Sequence, residues 1–441
     1  MKIIISNTVI LNGGDAAILI SIIKILQTAF GNDAEFIIYD SQPETAKKYY
    51  PQLNLRRLIY EQSIDSIKIR FIGRIIKFIS QWRLKVAVWC IHKHKFSLGR
   101  LCTTKVEYDS LLDYQTADLV VSTGGTYLVE NYGLKARFFD YQISLMFNKP
   151  LIFFTQSLGP FEQAKNRQTL KSIFAHSALI LLRDRQSAKH LQELVIQPDK
   201  VVVVADAAFA LANLTALETA KNQQGNLSPT KIAISVRDWH YFKTVDPAVG
   251  IARYIQALVA LTVYLVEKYQ ANITYISSCQ GIKEYWKDDS EFALKIVNQL
   301  PAKIAKFVTV NREFHDPETL INIISEYDLV IATRLHMAIL SLGAGVPVFA
   351  IAYEFKTEEL FCKLGQQASL IDIENIDENV LINRVDALIS SLPQVRQQLF
   401  TGVEQERLSA WQTSNLVQQA FKQWQLDREQ VRFVRTRILL S

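Results

Sequence analysis

Cysteine is scarce in this 441-residue chain: Cys90, Cys102, Cys279 and Cys362 stand far apart, with no CxxC pair. That spacing excludes a disulfide framework and a cysteine-rich zinc site, and it fits a reducing compartment. Glycine and proline number 16 and 11, too few for a collagen-like or low-complexity chain. No unbroken apolar run reaches the roughly 18 residues that a membrane-spanning helix needs, so no span is expected. Near the start, Ile3–Leu11 is interrupted by Ser6, Asn7 and Thr8, and a secretory signal is not expected either. HExxH, GxSxG and Walker patterns are missing as well. Metal-dependent and serine-hydrolase chemistry therefore find no residues to stand on, and no metal or cofactor is expected.

What is present is ordinary globular composition, 49% apolar, 10% aromatic and 21% charged, enough to bury a large core. The formal net charge of +6 is uneven. Residues 56–100 hold eleven Lys/Arg against Glu61 and Asp65, a local excess of +9, and the remainder sums to −3. Basicity belongs to one segment, and nucleic acid is not the expected partner.

Short β-branched runs alternate with helix-period segments almost throughout. Strands are expected at Lys2–Ser6, Glu35–Asp40, Leu55–Tyr60, Asp118–Thr123, Pro150–Leu158, Ala178–Asp184 and Val201–Asp206, and again from Lys231–Val236 to Val346–Ala352. Continuous runs such as Val201–Val204 suggest strands buried on both faces of a parallel sheet. The expected architecture is two doubly wound α/β domains, 1–212 and 231–370, joined by a polar linker 213–230. A helical tail, 371–441, follows. Open parallel sheets bind ligands at the carboxyl ends of their strands, so the residues at those ends carry the functional reading.

Asn12-Gly13-Gly14-Asp15 follows the first strand and opens the first long helix. It reads either as a ligand loop or as a tight turn with Asp15 favoured by the helix dipole. Ser122-Thr123-Gly124-Gly125-Thr126 offers hydroxyls beside paired glycines, suited to phosphate or sugar, or serves as a plain strand-to-helix turn. Gln156 and Ser157 end the next strand. Arg183 terminates an apolar strand, where it is paired with a carboxylate such as Asp184 or faces an anionic ligand. In the second half, Thr333-Arg334-Leu335-His336 sets a cation and an imidazole at a strand end and a helix start, an arrangement suited to anion binding or acid–base work. Arg237 ends another strand there, and Tyr353 and Glu354 end the last. In this architecture Arg183, Arg237, Arg334 and His336 are expected to converge on one groove, which asks for a substrate bearing phosphate and carboxylate.

These residues resemble the polysaccharide pyruvyl transferases. The match runs through Asn12–Ala16, Ser122–Gly125, Gln156-Ser157-Leu158-Gly159-Pro160, Leu182-Arg183-Asp184, Asp206 and Thr333-Arg334-Leu335-His336, and covers about residues 1–370. Thr123 stands where the family often has a third glycine, and Ala205 and Ala207 where it often has prolines. The resemblance implies a fold like glycosyltransferase type B, with the final helices packing back on the first domain. It implies transfer of a pyruvyl group from phosphoenolpyruvate to two hydroxyls of a saccharide, making a cyclic ketal and releasing phosphate. By motif, Arg183, Arg334 and His336 would form the donor site. The competing expectations are a nucleotide-sugar glycosyltransferase of the same architecture and an inactive saccharide-binding relative. A cytoplasmic enzyme, peripheral to the inner face of the membrane, fits a lipid-linked acceptor.

One further segment, 63–96, places Ile64, Ile67, Phe71, Ile75, Phe78, Trp82 and Trp89 near helical spacing among Lys and Arg. It reads either as a helix covering the sheet with a solvated basic face or as an interfacial helix on an anionic membrane.

Overall fold

The computed structural model describes the backbone of residues 1–65, 73–223 and 229–440, and side chains within these stretches except 63–65, 73–78, 131, 198 and 431–440. Residues 66–72 of the basic segment thus lie outside the described residues. The chain forms two compact units. One comprises Met1–Ile10, Ile18–Ala207 and Ser409–Ser441; the other comprises Leu11–Ala17 and Ala208–Leu408.

In the first unit the elements run β1 (Lys2–Thr8), α1 (Gly13–Phe30, its opening residues counted with the second unit), β2 (Glu35–Asp40), α2 (Pro43–Tyr49), β3 (Leu55–Arg57), α3 (Ile59–Asp65), α4 (Gly73–His92), α5 (Phe96–Leu101) and α6 (Lys105–Thr116). They continue with β4 (Leu119–Ser122), β5 (Gly125–Leu128), α7 (Lys135–Met146), β6 (Leu151–Leu158), α8 (Ala164–Ala175), β7 (Leu179–Leu182), α9 (Arg185–Glu193) and β8 (Val201–Val203). The strands pair in parallel in the order β3-β2-β1-β4-β6-β7-β8, and β5 adds to β6. The order reverses between β1 and β4, which defines a switch point at their carboxyl ends. Phe153 on β6 anchors the core, with Tyr141 at 5.0 Å and Phe174 at 4.9 Å, both edge-on. Such aromatic contacts add to the area that the rings bury.

The second unit carries α10 (Leu214–Asn222), β9 (Lys231–Ser235), α11 (Pro247–Tyr269), β10 (Asn272–Tyr275), α12 (Asp289–Val297), α13 (Ala302–Ala305), β11 (Val308–Val310), α14 (Pro317–Ile324), β12 (Leu329–Ala332), α15 (Leu335–Gly343), β13 (Val348–Ala352), α16 (Phe355–Lys363) and β14 (Leu370–Asp372). Its sheet, also parallel, runs β11-β10-β9-β12-β13-β14 with the reversal between β9 and β12. Ile232, Ile234, Ile331 and Phe349 of the sheet pack with Leu258 and Leu261 of α11. By length and mean composition α1 and α11 could each cross a membrane, although Asp15 and Lys24 interrupt the apolar run of the first and Arg253, Glu267 and Lys268 that of the second. Both are core helices: Ile18, Ile22 and Ile25 of α1, and Tyr254, Leu258 and Leu265 of α11, are fully buried.

Three expectations need correction. The linker region 213–230 holds the helix α10, because the Asn213 side chain accepts the Ala216 backbone N–H and caps it. The tail is one long helix, α17 (Glu378–Leu440), and only from Ser409 does it count with the first unit. Val201–Val203 is the edge strand of its sheet and half exposed, so its continuous valines do not mark burial on both faces.

Asp140 on α7 is buried in the first core and forms no ion pair among the described residues. Burial pushes its carboxyl up to about 8. The fold holds a proton there that the unfolded chain releases above roughly pH 4. Stability from this group is therefore lost as pH rises from about 4 to about 8 and levels off beyond. Asp140→Asn is expected to raise Tm at pH 8 while leaving it nearly unchanged at pH 4, a gain of a few kcal/mol at most (~1.4 per pH unit removed). Equal pH slopes in thermal melts of the two proteins would refute it.

Candidate active site

Each sheet gathers polar groups at its carboxyl edge. In the first unit the centre is Arg183, just past β7. Its Nη1 pairs with Asp206 Oδ2 at 2.5 Å, Nε donates to Ser157 Oγ at 2.7 Å, and Nη2 donates to Thr126 Oγ1 at 3.0 Å. Ser157 in turn donates to Asp184 Oδ2 at 2.6 Å, and Asp184 caps α9 by accepting Ser187 N–H at 2.7 Å. Of the two readings for this arginine, carboxylate pairing is what the structure shows, and all three of its nitrogens are engaged within the unit. The reason is burial: a guanidinium only 5% exposed needs a carboxylate partner, and Asp206 supplies it. Arg183 orders the strand ends.

Gln156 was expected at the mouth of β6. It is fully buried, and its Nε2 donates to the Thr123 carbonyl and, at 3.4 Å, to Ser122 Oγ. The paired glycines do not open a helix either: Gly125 and Thr126 begin β5, which lies beside β6. Gly124 makes this possible. A Cβ there would fall 2.6 Å from Thr155 Oγ1 and 2.8 Å from the Phe154 carbonyl oxygen.

The second unit holds the richer cluster. Arg334 is the N-cap residue of α15, immediately after β12 at the switch point. Asp289, in the first turn of α12, accepts from its Nε at 2.8 Å and its Nη2 at 2.7 Å, a two-pronged pair. Asp289 also accepts from Ser277 Oγ at 2.6 Å. Burial works against the Arg334 charge, but the carboxylate prevails and holds its pKa well above the ordinary value. Nη1 of Arg334 has no hydrogen-bond partner among the described residues.

Arg237, past β9, is differently placed. It forms no ion pair among the described residues. Its guanidinium lies 4.3 Å from the Tyr353 ring centre and 5.1 Å from that of Trp239, and Nη1 donates to Tyr353 Oη. Aromatic faces hold a guanidinium without neutralising it. Burial raises the Tyr353 pKa while the Arg237 charge draws it down, so the phenol stays protonated. Glu354 next to it forms an ion pair with Lys356 at 2.6 Å.

Asn12–Asp15 belongs to this second cluster. Asn12 Oδ1 accepts the Gly14 N–H at 3.1 Å. Both glycines are demanded by close approach: a Cβ on Gly13 would fall 1.8 Å from the Ser278 carbonyl oxygen, and one on Gly14 would fall 2.3 Å from His336 Nδ1. The imidazole of His336, half-buried in the first turn of α15, thus rests against a bare backbone. Cys279 stands near the same charges, but burial pushes its thiol up to about 12, which removes it as a nucleophile.

The structure therefore brings Asn12, Gly13, Gly14, Asp15, Arg237, Arg334, His336 and Tyr353 into one unit, and Gly124, Gly125, Thr126, Gln156, Ser157 and Arg183 into the other. Sequence reasoning missed Asp289, Ser277 and Ser278. Asp288-Asp289-Ser290 reads as a helix start, which it is, and nothing local marks the second aspartate as the partner of an arginine 45 positions on.

Two parallel Rossmann-like sheets with polar strand ends and a helical tail are the fold of the glycosyltransferase type B class. The family model for polysaccharide pyruvyl transferases matches residues 12–354, and the chain belongs to that family. The matched stretch begins at Asn12 and ends at Glu354, so the strand-end residues of both sheets described above lie within it. Over 307 residues the chain is 30% identical to the amylovoran biosynthesis protein AmsJ of Erwinia amylovora, covering 68% of this chain and 71% of that one. Among solved structures it is similar to a UDP-GlcNAc 2-epimerase from Neisseria meningitidis bound to UDP-GlcNAc, with TM-score 0.56, 13% identity, and 96% and 100% of the two chains covered. Alr3699/HepE from Anabaena in complex with UDP-glucose gives TM-score 0.51 and 12% identity over 98% and 100%. At these identities the likeness is one of fold. The family assignment makes the chain a transferase of pyruvyl groups to polysaccharide.

Proposed function

We infer that the protein transfers pyruvate from phosphoenolpyruvate to two hydroxyls of a saccharide, forming a cyclic ketal and releasing phosphate. The observation that carries the donor reading is Arg237. It is a cation at a strand end, held by aromatic rings and unmatched by any carboxylate among the described residues, and its charge and that of Arg334 both act on Tyr353. A donor with both phosphate and carboxylate groups suits two such positions. A proton delivered to the methylene carbon of the enol ester leaves positive charge on the neighbouring carbon, where a sugar hydroxyl attacks and gives up its proton. Phosphate then departs, taking up one released proton, and the second hydroxyl closes the ring as it gives up its own proton, which restores the acid. His336 is the group assigned to proton transfer, and the cations stabilise the anionic oxygens. The acceptor is a saccharide, lipid-linked in this reading, and the reaction is cytoplasmic.

Incubation with phosphoenolpyruvate and a saccharide acceptor is expected to release inorganic phosphate without any nucleotide. Arg237→Ala is expected to raise the KM for phosphoenolpyruvate at least about tenfold with a smaller effect on kcat. Turnover that requires a nucleotide-sugar, or no turnover with either donor, would overturn the assignment.

A further inference from the structure

We propose that the exposed face of α4 and α5 docks the protein on an anionic lipid surface. On α4, Ser80, Leu84, Ala87, Val88 and Ile91 face the core. The opposite side presents Ile79, Trp82 and Trp89, which are 55%, 63% and 51% exposed. At 100° per residue these three fall within about one quarter of the helix circumference, so they form a stripe turned away from the sheet. The next helix carries exposed apolar side chains of its own. Gly99 of α5 lies so close to α4 that a Cβ would fall 2.6 Å from Ile91 Cγ1, while Phe96, Leu98 and Leu101 are exposed, Leu101 at 83%.

Large apolar side chains in water need an account when they adjoin one another. Charge decides which. From Ser66 to Val106 the sequence has ten Lys/Arg and no Asp or Glu. Arg83 is spent on Glu107 at 2.6 Å and Lys85 on Gln142 at 3.0 Å. Lys93, Lys95, Arg100 and Lys105 remain exposed, and Lys95 sits 5.5 Å from the ring centre of Trp89. A second copy of the chain would bring like charge against like charge, which disfavours self-association through this face. Tryptophan and leucine beside unmatched lysine and arginine match instead an interface of acyl chains below anionic headgroups. The inference deepens the lipid-linked acceptor of the functional reading and to that extent rests on it.

The test is co-sedimentation of the full chain with phosphatidylcholine vesicles, with and without phosphatidylglycerol, at low and high salt. Binding is expected to the anionic vesicles only, to be lost at high salt. It is expected to weaken at least about tenfold both in Trp82→Ser/Trp89→Ser and in Lys93→Glu/Lys95→Glu. All four side chains are exposed, and circular dichroism should show the variants folded. Phosphate release with a soluble acceptor is expected to match the parent protein. No binding to anionic vesicles, or binding that ignores both pairs of substitutions, overturns the proposal. So does a parent protein that elutes as a dimer and becomes monomeric in the tryptophan variant, since a second copy would then be the occupant. Vesicle binding without phosphate release would leave docking intact and remove the transferase reading; the reverse result would do the opposite.

Discussion

Asp289→Ala is expected to cost about 3–5 kcal/mol of folding stability, the range for removing one partner of a buried ion pair. In thermal melts this would be a Tm lower by roughly 3–5 °C for a chain of 441 residues that unfolds as one. Arg334 is only 10% exposed on its side chain and Asp289 2%, so solvent offers the stranded guanidinium little relief. Three consequences accompany the loss. Ser277 Oγ loses its acceptor, the first turn of α12 loses a favourable negative charge, and Arg334 is freed to swing. Asp289→Asn should fare better, because an amide oxygen can still accept one guanidinium bond while the net charge of the pair changes. A ranking in which the asparagine variant is as unstable as the alanine variant would mean that the two-pronged bond is not what Asp289 contributes.

The second large effect is on turnover. His336→Ala is expected to lower kcat by about 100- to 10,000-fold, the span of a lost general acid or base, with the fold preserved. The imidazole is half-buried, so its removal opens space at the surface of the cluster and not in the core. Partial rescue by added imidazole would separate proton transfer from a merely structural part. Gly14→Ala offers an independent check, because its methyl group would meet His336 Nδ1 at 2.3 Å and displace the ring without deleting it. That variant should lower kcat more than it alters the KM for phosphoenolpyruvate. A His336→Ala protein that turns over at the parental rate would end the assignment of the imidazole to chemistry.

Much of the fold could be read from hydrophobic pattern. Glu35–Asp40 was located to the residue, and Lys2–Thr8, Leu151–Leu158, Lys231–Ser235 and Val348–Ala352 to within one or two. These strands are buried on both faces, and their apolar runs have no competing reading. The misses are short or ambiguous. Gly125–Leu128 begins with a glycine and holds four residues, too few to show a period, and Leu370–Asp372 holds three. Leu55–Tyr60 turned out to be a three-residue strand followed by a helix from Ile59, since both use the same apolar residues.

For the site, position was legible and pairing only in part: Asp206 stood out as an orienting group or the partner of an arginine, and Asp289 did not. Arg183, Arg237 and Arg334 all end apolar strands, and the sequence shows that much. Which of them is neutralised depends on Asp206, 23 residues from Arg183, and on Asp289, 45 residues from Arg334. Aspartates at helix starts are commonplace, so no local cue distinguishes a cap from a counter-ion. The aromatic bed of Arg237 was half visible, Tyr353 having been singled out and Trp239 not.

The first unit is assembled from stretches that Ala208–Leu408 separates in sequence. Ser409 Oγ accepts the Ala205 N–H at 3.0 Å, Gln418 donates to the Ala29 carbonyl at 3.0 Å, and Phe421 meets Phe30 edge-on at 5.5 Å. During synthesis the end of α1 stays unsheltered on that flank until Ser409–Phe421, which follows the whole of Ala208–Leu408, leaves the ribosome. The intervening lobe, whose residues are nearly continuous in sequence, can finish folding first. Order of emergence and order of completion are thus inverted, and the early sheet is the part that stands to need protection by a chaperone.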